Sequence, residues 1–169
     1  MERRNAWLSY TEAEEKELEQ VAKAYRNFLN VGKTERECVT QIIREARAAG
    51  YESLEEKTAK GEKLKAGDKV YTVGMKKIIA LFHIGQDDIS EGMNILGAHI
   101  DSPRLDVKQN PLYEDTDLAY LDTHYYGGVK KYQWVTLPLA MHGVVAKKDG
   151  SIVEISIGED AEDPVLYIT

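Results

Sequence analysis

His99 and Asp101 are the pair in this chain with the residue types and spacing for metal chemistry. A neutral imidazole is a common metal ligand, and a carboxylate beside its second nitrogen fixes the tautomer and the ring orientation. The pair follows an apolar run, Ile95-Leu96-Gly97-Ala98, which reads as a buried strand needing cover on both faces. Pro103 lacks a backbone N–H and pushes Ser102 toward an extended conformation, so regular pairing should stop there. Strand ends in open α/β sheets are where ligands bind, in the crevice outside the carboxyl edge. His-x-Asp by itself does not specify a metal site. A strand-end histidine bonded to Asp101 for local order is the plainer alternative.

The remaining candidates have bland readings. Of the other three histidines, His83 lies in an apolar strand and His142 in an alternating one, where a satisfied structural imidazole is expected. His124 sits in a polar stretch beside Asp122, which suits a surface or structural role better than a place at an active-site rim. The single Cys38 falls on the apolar face of a helix and reads as a buried, inert thiol. Arg104 and Lys108 flank the His99 segment, where either a substrate carboxylate or an ordinary surface role suits them. Gly127-Gly128 could bring a backbone close to a substrate but reads better as a turn with positive φ, and Lys130-Lys131-Tyr132 reads as a solvated face. Gly32-Lys33-Thr34 is not a phosphate loop, since Asn27 stands where the first glycine is required and a helix precedes it.

The elements that must position these groups are written in caps and turns. Thr11-Glu12-Ala13-Glu14 is a capping box, followed at helical spacing by Leu18, Val21, Ala22, Tyr25, Phe28 and Leu29, to about Asn30. Thr34-Glu35-Arg36-Glu37 opens a second helix that should bury Cys38, Ile42, Ile43 and Ala46 before Gly50 ends it. Residues 51–68 are polar, and their Lys/Glu-rich stretch from Glu55 to Lys65 reads as a solvated loop or irregular turn. A strand over Lys69–Val73 and a central strand over Ile78–Ile84 form a hairpin through Gly74 to Lys77. Asn110-Pro111 and the acidic Glu114 to Asp117 mark a boundary. Beyond it, strands are expected over Trp134–Ala146 and Ile152–Ile157, joined by an Asp149-Gly150 turn, with a further one from Val165.

Length and composition bound the function class. The 169 residues are 43% hydrophobic and 30% charged, which is ordinary globular composition with room for a core. A formal net charge of -7 argues against nucleic-acid binding, which needs clustered Lys and Arg. No apolar stretch approaches the roughly 20 residues of a membrane span, and no signal-peptide core follows the N-terminus. One cysteine excludes an internal disulfide and fits a reducing compartment. A cytoplasmic protein is expected.

The longer string Gly97-Ala98-His99-Ile100-Asp101-Ser102-Pro103-Arg104-Leu105-Asp106-Val107-Lys108 resembles the first metal-ligand segment of the aspartyl aminopeptidase family of zinc metallopeptidases. Tyr125-Tyr126-Gly127-Gly128, followed by Trp134 and Leu137-Pro138-Leu139, is also similar to that family. The resemblance implies an α/β fold, with residues 1–111 as the N-terminal part of a peptidase domain. Residues 112–169 would begin a β-rich inserted domain that mediates homo-oligomerisation. It implies that His99 binds one of two zinc ions, and that Asp101, regarded as catalytic in the family, lies behind it and holds the ring. Paired zincs lower the pKa of a bridging water toward about 7 and polarise the peptide carbonyl of the substrate. The family's other ligands and its glutamate base match no position here, and catalytic zinc needs about three protein ligands. Two readings follow: part of a zinc aminopeptidase acting on peptide N-termini and inactive as this piece alone, or a non-catalytic assembly or regulatory module that keeps the fold.

Overall fold

The computed structural model describes residues 5–169, and the chain divides into two compact units between Ala98 and His99. In the first unit both capping boxes form. The Thr11 hydroxyl accepts from the Glu14 amide at 3.4 Å, while the Glu14 carboxylate accepts from the Thr11 amide at 2.8 Å. They open helix α1, Glu12–Val31. Thr34 and Glu37 repeat the exchange at 3.3 and 2.8 Å to open α2, Glu35–Ala48. Gly32 joins the two helices at close quarters, because a Cβ there would stand 2.7 Å from the Cys38 sulfur.

A three-stranded sheet in the order β1-β2-β3 packs on α2, with β1 at Glu52–Ser53, β2 at Lys69–Gly74 and β3 at Ile78–His83. Between β1 and β2 lies the short helix α3, Leu54–Ala59. The core is small: Cys38, Val39 and Ala46 from α2 meet Val70 and Tyr71 from β2. Arg47 fastens the layers by donating from Nε to the Tyr71 hydroxyl at 2.8 Å.

Several expectations need correction here. The stretch from Glu55 to Lys65 is not simply a solvated loop or irregular turn, for it includes most of α3, which Ser53 caps by accepting from the Glu56 amide at 3.3 Å. Ser53-Leu54-Glu55-Glu56 carries the capping pattern of the two longer helices. The strand at Ile78–His83 is an edge strand of the sheet, not a central one, and leaves Leu81 and Phe82 exposed. Ile42 and Ile43 are half-buried rather than core residues. Most importantly, Ile95 to Ala98 forms no strand. Ile95 is 81% and Leu96 95% exposed, so the run lacks the pairing edges and covering layers that a doubly apolar strand requires. The β2–β3 hairpin does form as expected, turning through Met75 and Lys76 at φ 50° and 58°.

The second unit is built from hairpins. Strands β4, Arg104–Asp115, and β5, Leu118–Tyr126, pair antiparallel with a register shift between Val107 and Leu112. Pro111 falls in that irregular stretch, where a missing N–H costs no ladder bond. The strand therefore runs straight through position 111. Its turn is the acidic segment itself, with Thr116 and Asp117 at φ 52° and 61°, the left-handed pair of a tight hairpin. Trp134 belongs to a short helix, α4, Lys131–Trp134, not to a strand. Strands β6, Met141–Ala146, and β7, Ile152–Ile157, form the expected hairpin around Asp149-Gly150. Val165 to Thr169 contributes only an isolated bridge, Leu139 to Leu166.

Candidate functional site

His99 and Asp101 lie in the segment that leads into β4, and their geometry assigns the imidazole tautomer. His99 Nδ1 is 3.0 Å from the Asp101 carbonyl oxygen and 3.2 Å from its carboxylate Oδ1. A carbonyl oxygen can only accept, so Nδ1 carries the proton and Nε2 keeps the lone pair. That is the form a metal-binding imidazole takes, with its second nitrogen donating to an oxygen. The His99 side chain is 86% exposed, which leaves Nε2 accessible to a ligand.

Asp101 is held from a second direction. The Tyr126 hydroxyl at the end of β5 donates to Oδ2 at 2.8 Å. This bond is the main reason its carboxyl sits below the usual carboxylate range, with its own backbone adding and His99 contributing least. Gly127, at φ 72°, turns the chain directly beneath Pro103, whose atoms lie 3.5 Å from where a Cβ would be. Thus β5 and its following turn, rather than a strand through residue 98, position the pair.

Arg104 and Lys108 both find partners within the hairpin. Arg104 Nε donates to Asp106 Oδ1 at 2.8 Å and its guanidinium stands 4.1 Å over the Tyr126 ring. Lys108 pairs with Asp122 at 2.9 Å. His124, on β5, lies 3.8 Å from Asp106. His142 is 2.9 Å from Glu159 and largely enclosed, a satisfied structural imidazole. His83 is exposed at the end of β3. Cys38 is buried, and that burial, with Glu37 and Glu35 nearby, pushes its thiol up, away from the reactive form. Tyr126 is the site residue that residue types alone did not single out. Its signal was the Tyr-Gly-Gly string combined with strand pairing to Arg104.

The donor set suits zinc in part. An imidazole with a free Nε2 and a carboxylate behind Nδ1 fits one ligand position. Among the described residues, no three His, Cys, Asp or Glu side chains converge as a complete set.

The M18 peptidase family, described as aminopeptidase I zinc metalloprotease, matches residues 28–169. The probable M18 family aminopeptidase 1 of Clostridium acetobutylicum is 56% identical over 168 residues, covering 99% of this chain and 36% of the relative. The crystal structure of aminopeptidase I from that organism superposes with a TM-score of 0.84 at 56% identity, over 100% of this chain and 37% of the other. Aminopeptidase I from Borrelia burgdorferi gives a TM-score of 0.89 at 39% identity, over 98% of this chain and 40% of the other. The chain therefore spans little more than a third of the curated relatives it matches, with a mixed helix and strand fold in common. It belongs to the M18 family of zinc aminopeptidases, of which it represents an N-terminal part.

Proposed function

We propose that this chain supplies one zinc ligand and its orienting carboxylate to the active site of an aminopeptidase that removes N-terminal residues from peptides. One observation carries the reading: His99 donates from Nδ1 to Asp101, and so offers Nε2 as a ligand nitrogen. His99 is the zinc ligand and Asp101 holds its ring, keeping the donor lone pair directed outward and raising its basicity. Zinc, when bound, supplies Lewis-acid polarisation of the scissile carbonyl and a water nucleophile at neutral pH. Two zinc ions occupy the complete site, and their remaining ligands come from sequence outside these residues. That further sequence also supplies the neighbours that turn Ile95 to Ala98 into a covered strand.

The β-rich part after residue 111 belongs, on this reading, to an inserted domain through which copies of the protein associate. The protein works in the cytoplasm on peptides, without nucleic-acid or membrane partners. The test is zinc content and turnover of aminoacyl substrates by the full-length peptidase carrying this sequence, beside the same assay on the 169-residue chain. The full-length protein is expected to bind zinc and turn over, and His99→Ala to lose both. The short chain should show no turnover even with zinc added, since one imidazole falls short of about three protein ligands. Turnover by the short chain, or an unchanged His99→Ala enzyme, would refute the assignment. A zinc-free, inactive full-length protein would favour a non-catalytic assembly module.

A further inference from the structure

We infer that Tyr126, clamped by Arg104, is a positioning residue that sets the metal-facing imidazole through Asp101. The inference rests on the zinc-aminopeptidase reading above and extends it to a residue outside the His-x-Asp motif. Asp101 sits in a segment without regular secondary structure, so no strand ladder fixes its backbone or its rotamer. Its two carboxylate oxygens nevertheless face different donors. Oδ2 accepts from the Tyr126 hydroxyl at 2.8 Å, and Oδ1 lies 3.2 Å from His99 Nδ1. A carboxylate gripped at both oxygens has its plane defined, and the plane directs the imidazole.

Tyr126 is itself immobilised. It is the last residue of β5 and pairs in register with Arg104, the first of β4. The Arg104 guanidinium covers its ring at 4.1 Å, and Arg104 is in turn fixed by Asp106 at 2.8 Å. A guanidinium over an aromatic face is attracted by the ring quadrupole, which favours one ring orientation. Order thus passes from the β4–β5 ladder through Asp106, Arg104 and Tyr126 to Asp101 and His99. On this inference Tyr126 acts on the metal site through Asp101 and not by contact with metal or substrate.

A double-mutant cycle on the full-length, zinc-loaded peptidase tests this. Zinc affinity is measured by chelator competition, and melting temperature on the metal-free protein. Tyr126→Phe should weaken zinc about 10-fold, and Asp101→Asn by about 10- to 100-fold, the range for removing a group behind a metal ligand. The double variant should bind zinc no more weakly than Asp101→Asn alone, because residues acting in one chain are non-additive. Arg104→Met keeps the hydroxyl but frees the ring, and should reproduce the non-additive pattern at smaller size even if Tyr126→Phe folds poorly. Wild-type zinc affinity in Tyr126→Phe, or losses that multiply in the double variant, would overturn the inference while His99→Ala still loses zinc. Full zinc retention by His99→Ala would overturn the parent reading and this one together.

Discussion

The unit ending at Ala98 and the unit beginning at His99 are held together by different means. The first has capped helices and a buried cluster around Val39 and Val70. In the second, no described residue reaches that degree of burial, and the order comes from hairpin ladders, tight turns and charged pairs. The candidate site lies in the second kind of structure. Its geometry is set by hydrogen bonds from Tyr126 and by the Gly127 turn, not by a packed core. The difference teaches that this site can be ordered by a polar chain on a hairpin, and that it should respond to loss of single hydrogen bonds more than to loss of apolar volume.

Truncating equal aliphatic side chains in the two units is the sharpest way to break this contrast. Val70→Ala removes a fully buried side chain and should cost about 2 kcal/mol through lost transfer energy and the cavity left behind. Val145→Ala, at a half-exposed position of β6, should stay within about 0.5 kcal/mol. Chemical denaturation of the two variants reads the difference, and equal losses would mean that the second unit hides a core of its own.

Much of the first unit was legible because caps are local chemistry. Thr11 to Glu14 and Thr34 to Glu37 specify their helix starts without reference to anything distant. The Gly74 to Lys77 and Asp149-Gly150 turns were readable for the same reason. What failed was whatever depends on neighbours. Ile95 to Ala98 has the composition of a covered strand, but apolar content states a need for cover without supplying it. The β4–β5 hairpin was missed because Pro111 and the acidic Glu114 to Asp117 have the composition of a break between elements. In the fold they are a bulged stretch and a two-residue turn. At the site, the contact of His99 with Asp101 followed from spacing, whereas Tyr126 is 25 positions away and enters only through strand pairing.

Two smaller effects sharpen the account of the helical unit. Thr34→Ala removes the hydroxyl that accepts from the Glu37 amide and should cost about 1 kcal/mol, read from the denaturation midpoint. A pH effect should appear at the start of α1. The Thr11 amide and then its hydroxyl hold the Glu14 carboxyl below its ordinary range. A lowered folded-state pKa stabilises above the ordinary carboxylate range, and the contribution is lost as pH falls through the lowered value. Amide exchange in the first turn of α1 should therefore show more fraying in acid than intrinsic rates explain. In Glu14→Gln that acid dependence should disappear, whereas Thr11→Ala, which keeps the amide donor, should only reduce it.

The central claim, that Asp101 orients a zinc-binding His99, is tested most directly by Asp101→Asn in the full-length peptidase. The substitution keeps the side-chain shape and replaces a charged acceptor by an amide. Melting temperature, bound zinc and turnover are measured side by side on the same preparation. The account predicts near-native melting, with zinc affinity or turnover per folded molecule reduced about 10- to 100-fold. Unchanged turnover per folded molecule, with stability lowered by the roughly 0.5–2 kcal/mol of a lost cap, would show that Asp101 only orders the segment before β4.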